Sequence, residues 1–382
     1  MGAGTRILSV DGGGSLGLAS AMVLIELERR TRRPTAELFD LVAGTSVGGL
    51  LGLSLLIPGA DGAPRHTGAQ IASLFEKDAD QLFESSLWRW LSTLGGFLGE
   101  KYETTGLQEV LDQVFGDAWL SEAIRPTLIP AYDLLQDEPC AFRLHRAQTD
   151  AGTDSPASAV VRATTAVPGF CPPARIESRD RLVERLCIDG GAVAFNPALW
   201  AYAEALRLHP EADDVVLASP GTIRRHHGPN HVPPRGRGAF EWARPLFQIT
   251  CDAASAVTHE QLQDLIGARA GGPEHYFRLR AEVELPGAGS LDDTSAQHLE
   301  RVRAAGAELL EREDERIDRL CARLTREQPA TGPDTGCGLT PGHRVPSRRR
   351  CGIHGRVGQG VRGQTTVPGA YLPGSCSVPV VR

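Results

Sequence analysis

Two glycine-rich stretches near the start of the chain hold residues able to carry out acyl transfer. They are Asp11-Gly12-Gly13-Gly14-Ser15-Leu16-Gly17 and Gly44-Thr45-Ser46-Val47-Gly48-Gly49. The second is G-x-S-x-G following the apolar run Leu38 to Ala43, the pattern of a nucleophile elbow. Gly44 and Gly48 flank Ser46 because the strand-to-helix turn is too tight for neighbouring side chains, and the turn holds the hydroxyl out at the tip of a sheet. Ser46 is the candidate nucleophile. A serine hydroxyl is weak on its own, so a general base and an oxyanion hole must come from elsewhere.

The first stretch is suited to the oxyanion. Gly12, Gly13, Gly14 and Ser15 follow the strand-like run Ile7 to Val10 and open a helix. Backbone N–H groups there converge at the positive end of a helix dipole, which favours a developing negative oxygen. Gly12-x-Gly14-x-x-Gly17 also fits the dinucleotide fingerprint. That reading asks for an acidic residue at the end of the next strand, roughly 20 residues on. Glu37 and Asp40 stand before or inside the second strand, which ends instead in the serine elbow. No cofactor is expected.

The candidate base lies far along the chain. Leu186-Cys187-Ile188-Asp189-Gly190-Gly191 reads as a third strand end with a carboxylate at its tip. An Asp-Gly pair is also an ordinary turn, and Asp11 too is followed by glycines, so spacing alone does not choose between the two aspartates. A triad is the alternative: α/β-hydrolases order their residues Ser, Asp, His, with His226 or His227 as the base. An unperturbed aspartate base, of pKa about 3.9, leaves activity flat through pH 6–7, whereas histidine gives an inflection near 6.5.

The elements that must position these groups alternate. Strands are expected at 7–10, 38–43, 127–132, 140–145, 185–188 and 214–219. Helices are expected at 15–30, 47–57, 155–166, 197–208, 247–266 and 296–326. A helical and irregular insertion spans about 68–116 and carries Trp88, Trp90, Leu91, Leu94, Phe97 and Leu98, read as lid or core packing. This alternation predicts a doubly wound α/β fold with reactive groups at the carboxyl ends of strands.

The three ordered motifs, DGGGSLG at 11–17, GTSVG at 44–48 and DGG at 189–191, resemble those of the patatin-like phospholipases across roughly residues 6–202. Lys101-Tyr102 with Gly106 to Leu111, Ala131 to Leu134, Ala163 to Pro168, Ala218 to Thr222 and Tyr276 to Leu279 are similar to stretches of the same family. The resemblance implies a three-layer fold with a mostly parallel central sheet. It also implies a serine–aspartate dyad without histidine: Ser46 as nucleophile, Asp189 as general base, and Gly12, Gly13, Gly14 and Ser15 as oxyanion hole. Where many members carry arginine, this chain has Leu16, leaving only backbone donors in that loop.

Composition agrees with that class. The chain has 382 residues, 41% of them hydrophobic and 23% charged, enough for a substantial core. A net charge of −7 argues against nucleic-acid binding. Only Lys77 and Lys101 are lysines, and the arginine bias fits a GC-rich genome. No signal peptide or myristoylation motif is expected. Eight cysteines without paired spacing suggest reduced thiols and a cytoplasmic location; the resemblance implies a lipid or ester substrate met at membrane surfaces. The uncharged run 41–60 is long enough to span a membrane, but Asp40, Pro58 and Asp61 bound it and a buried strand, elbow and helix explain it better.

Three regions are expected: a catalytic domain at 6–202, a part at 203–327 completing the fold, and a Gly/Pro/Arg-rich tail at 328–382. The loop Arg224 to Arg237 reads as solvated, and helix 296–326 as exposed and salt-bridged. The tail has Asp334 as its only acid and no periodicity, which fits disorder or a frameshifted gene end. Cys337, Cys351 and His354 lack the paired spacing of a metal site. The sequence therefore points to a lipid acyl hydrolase of phospholipase A or lysophospholipase/esterase type, with no metal. A catalytically silent lipid-binding module is the reading from another class.

Overall fold

The computed structural model describes residues 4–77, 105–225, 239–270, 274–283, 293 and 295–326. The aromatic cluster Trp88 to Leu98, Lys101-Tyr102, His226, His227 and the tail from Gln328 with Cys337, Cys351 and His354 lie outside the described residues.

In chain order the strands are β1 (Gly4–Val10), β2 (Leu41–Gly44), β3 (Thr127–Asp133), β4 (Glu138–Arg143), β5 (Ala174–Glu177), β6 (Glu184–Asp189), β7 (Asp214–Arg225) and β8 (Tyr276–Val283). The helices are α1 (Gly17–Thr31), α2 (Thr35–Leu38), α3 (Val47–Ser54), α4 (Gly68–Lys77), α5 (Thr105–Phe115) and α6 (Leu144–Ala147). They continue as α7 (Ala157–Thr164), α8 (Gly191–Ala194), α9 (Ala198–Leu208), α10 (Ala239–Ala270), α11 (Ala296–Arg312) and α12 (Asp314–Thr325).

β1, β2 and β3 are runs of almost wholly buried residues, as strands covered on both faces must be. The sheet runs β5-β6-β3-β2-β1-β7-β8, with β3, β2, β1, β7 and β8 parallel to one another; β6 is antiparallel to β3, β5 antiparallel to β6, and β4 pairs antiparallel with β3 off this path. Side chains alternate across it. Ile7, Leu41, Ala43 and Leu217 join Ala201, Tyr202 and Leu262 of α9 and α10 in one core. Leu8, Val10, Val42 and Val216 join Leu24, Leu51 and Val302 of α1, α3 and α11 in the other. Helices on both faces make the expected three-layer, doubly wound fold.

Strand order reverses between β1 and β7, and a crevice opens at such a switch point. The glycine loop leaves β1 there. The uncharged run after Asp40 is β2, the elbow and α3, every residue of which is buried. No helix among the described residues is long and apolar enough to cross a membrane.

Some boundaries differ from expectation. The expected strand 38–43 begins as the helix α2, because Glu28 Oε1 accepts from both the N–H (2.9 Å) and the hydroxyl (2.8 Å) of Thr35. The expected helix 296–326 is two helices, α11 and α12, separated at Glu313. β5 was not expected: four residues alternating buried and exposed are too short to stand out.

One arrangement decides where the reactive groups meet. Leu128 of β3 pairs with both Ala43 of β2 and Arg143 of β4, so those strands lie on opposite edges of β3. Ala131 pairs with both Cys140 of β4 and Asp189 of β6. β2 and β6 therefore share one edge of β3, β2 at its start and β6 at its end. Because β6 runs antiparallel, its carboxyl end points back toward the carboxyl end of β2.

Candidate active site

Ser46 stands between β2 and α3 with φ 55° and ψ −125°, a left-handed backbone that costs a non-glycine residue about 1–3 kcal/mol. Its surroundings hold it there. The Ser46 N–H donates to Thr164 Oγ1 at 2.9 Å, and Thr45 Oγ1 donates to the Ala194 carbonyl at 2.6 Å. A Cβ on Gly44 would stand 2.1 Å from the Gly48 carbonyl oxygen, and one on Gly48 would stand 2.3 Å from that of Val10. Strand and helix approach so closely that only glycine fits on either side of the serine, as G-x-S-x-G predicted. Ser46 remains 7% exposed at the tip.

Asp189 ends β6 and is 2% exposed. Its Oδ1 accepts the Gly191 N–H at 2.6 Å, while Oδ2 has no hydrogen bond of ordinary geometry among the described residues. Burial pushes the carboxyl up to about 7, opposed by the Ser46 hydroxyl and the Gly191 N–H. Ser46 is thus close enough to act on the carboxyl while their contact is looser than a formed hydrogen bond. Such contacts commonly tighten only once substrate is bound. Among the described residues, which do not include His226 or His227, no histidine is among the groups that shift this carboxyl. Burial thus moves the carboxyl toward the range of a histidine base, and a pH profile alone does not separate the two.

Asp11, the other candidate, is committed elsewhere. Both its oxygens receive the Arg278 guanidinium, Oδ1 at 2.8 Å from NH1 and Oδ2 from NH2, with Ser219 and Ser255 hydroxyls on the same guanidinium. A buried, bidentate ion pair of this kind is a structural tie. Asp40 is equally occupied: its Oδ2 accepts the Arg6 backbone N–H at 2.8 Å.

The glycine loop lies against the nucleophile, since a Cβ on Gly12 would come within 3.4 Å of Ser46 Cβ. Gly12 is not a free donor: its N–H is given to the Phe195 carbonyl at 2.9 Å, and its own carbonyl accepts the Thr222 hydroxyl at 2.9 Å. Gly13 (φ 156°) and Gly14 (φ 56°) follow, and neither N–H donates to a protein group among the described residues. A 3-10 turn, Gly14–Leu16, then leads into α1. Ser15 is wholly buried, with its side chain on His298.

Gly17 packs on Val47 and Gly190 on the Pro130 carbonyl. Gly191 supplies the N–H on Asp189. The fold therefore brings the three motifs together at one point.

The sequence pattern described as Patatin-like phospholipase matches residues 8–202. The chain belongs to the patatin-like phospholipase family. It is 25% identical over 333 residues to "Patatin-like protein 4" of Arabidopsis thaliana, covering 80% of this chain and 83% of that protein. It is 31% identical over 278 residues to "cGAMP-activated phospholipase" of Pseudomonas aeruginosa, covering 72% and 77%. It is also 30% identical over 236 residues to "Probable inactive patatin-like protein 9" of Arabidopsis thaliana, covering 57% and 60%. Family membership points to lipid acyl hydrolysis.

Several residues at the site carried no chemical signal in the sequence. Thr164 holds Ser46 through its hydroxyl and Gly190 through its carbonyl, which accepts the Gly190 N–H at 3.1 Å. Arg278 fixes Asp11, and Phe195 takes the Gly12 N–H. Thr164 and Arg278 fall in stretches that resemble the family, yet their roles depend on contacts between distant parts of the chain.

Proposed function

We propose that this protein hydrolyses fatty-acyl esters of lipids through a Ser46–Asp189 dyad, as a phospholipase A, lysophospholipase or related esterase. The observation that carries the reading is the state of Asp189. It is buried, shifted to about 7, without a cation partner among the described residues and acted on by the Ser46 hydroxyl. A group so tuned can accept and return a proton near neutral pH.

Asp189 takes the proton of Ser46 Oγ as that oxygen bonds to the ester carbonyl carbon. The carbonyl oxygen becomes an oxyanion received by the unpaired N–H groups of Gly13 and Gly14. Collapse breaks the ester bond, and the departing alkoxide takes the proton from Asp189. Water then attacks the acyl-enzyme with Asp189 again as base, releasing the fatty acid and restoring Ser46. A mostly apolar cavity of about 310 Å3 lined by Phe195, Leu199, Trp200 and Ala254 lies beside the site, joined to it only through Phe195, which packs against Gly12. No step requires a metal or organic cofactor.

The test is a panel of phospholipids, galactolipids, lysolipids and triacylglycerols with products read by mass spectrometry. Wild type should release fatty acid from at least one class and Ser46→Ala from none. Release that survives Ser46→Ala would contradict the dyad; no release from any lipid would favour the silent module.

A further inference from the structure

We propose that His298 is a positioning residue that sets the oxyanion loop through Ser15; this rests on the dyad and loop reading above. Ser15 Oγ lies 3.1 Å from His298 Nε2, and both residues are buried. His298 stands in the first turn of α11, its N–H given to the cap residue Ser295 Oγ at 3.3 Å. On the far side of the ring, Nδ1 faces Asp293 Oδ2 at 3.7 Å, and Asp293 Oδ1 accepts the Ser295 N–H at 2.9 Å. The ring thus bridges the Asp293 carboxylate on one side and the Ser15 hydroxyl, within hydrogen-bond distance, on the other.

The order Asp293, His298, Ser15 imitates a catalytic triad, but Ser15 has no exposed surface. No substrate can reach it, so the relay acts on geometry. It ends one residue after Gly14, in the loop whose first glycine, Gly12, lies against Ser46. Three successive glycines have no side chains with which to fix themselves, and glycine is the most conformationally free residue.

Ties from three elements compensate. The Phe195 carbonyl and the Thr222 hydroxyl hold Gly12 at the front of the loop, and His298 holds Ser15 behind it. The Gly13 and Gly14 N–H groups, without a protein partner among the described residues, lie between these anchors. An apolar pair would fill the Ser15–His298 space without any polar group to desolvate; the directional bond fixes a rotation that packing alone leaves loose. Displacing a donor by about 1 Å can cost around 10²-fold in rate.

The experiment uses the full chain and a long-chain p-nitrophenyl ester, with Ser46 labelling of wild type by a fluorophosphonate as control. His298→Ala and Ser15→Ala should each lower kcat by about 10–10²-fold while KM stays within about twofold. The double variant should be no worse than either single, because both remove one interaction. His298→Gln, whose side-chain amide can reach Ser15, should recover most of kcat.

An unchanged kcat in folded His298→Ala overturns the proposal. So does a loss that Gln fails to restore and that tracks a lower melting temperature. If His298→Ala does not fold, Ser15→Ala and His298→Gln decide by the same criteria. A wild type that neither labels at Ser46 nor turns over defeats the dyad reading itself; a labelled, active wild type with unaffected variants defeats only this inference.

Discussion

The backbone N–H of Ser46 donates to the hydroxyl of Thr164, 118 residues further along the chain, at 2.9 Å. The carbonyl of Thr164 accepts the N–H of Gly190, next to Asp189, at 3.1 Å. One residue at the end of α7 thus holds both halves of the proposed dyad, and it is fully buried. Thr164→Val keeps the shape and removes the acceptor. Leaving the Ser46 N–H unpaired should cost about 1–3 kcal/mol of stability and at least tenfold in kcat. Thr164→Ser should restore both, as read by thermal melts and ester turnover.

The two aspartates before glycine pairs should respond in opposite ways. Asp11→Asn leaves a buried guanidinium without its partner, a loss of about 3–5 kcal/mol. That variant should melt far lower or fail to fold. Asp189→Asn removes no cation pair; it should fold normally while turnover collapses.

Stability should also depend on pH through Asp189. Its carboxyl sits near 7 in the folded protein and near the ordinary 3.8 when unfolded. Between those values the folded state holds the extra proton, so stability falls as pH rises from about 4 to about 7 and stays lowered above that. Asp189→Asn should therefore melt higher than wild type at pH 8, with the difference vanishing near pH 4. Equal melting temperatures at both pH values would contradict a buried, strained carboxylate.

The same shift sets the rate profile. The base must be ionised, so kcat/KM should rise with pH and level off above an inflection near 7. A flat profile through pH 6–7, expected of an unperturbed aspartate, would contradict the raised carboxyl of Asp189. Because this inflection falls close to that of histidine, the Asp189→Asn variant has to separate dyad from triad.

Much of this site was legible from local sequence. The elbow, the glycine loop and the strand ending in Asp189 each depend on neighbours within a few residues, and their glycines mark contacts that no side chain could survive. The alternation of strands and helices followed from buried runs such as Ile7 to Val10 and from the glycine loop that opens the helix after it. What stayed hidden depends on pairing between distant segments. The antiparallel entry of β6 beside β3 leaves no periodicity in Glu184–Asp189, and it is that entry which aims Asp189 at Ser46. Asp11 and Asp189 look alike in sequence because Arg278, which distinguishes them, lies 267 residues from Asp11. Gly12 looked equivalent to its neighbours until Phe195 claimed its N–H.

The most direct test of the Ser46–Asp189 account is site-resolved labelling with an alkyl fluorophosphonate, with the modified peptide identified by mass spectrometry. Wild type should carry the adduct on Ser46, with labelling slowed at least about 10²-fold in Asp189→Asn and abolished in Ser46→Ala. An adduct on any other residue, or undiminished labelling of Ser46 in Asp189→Asn, would contradict it.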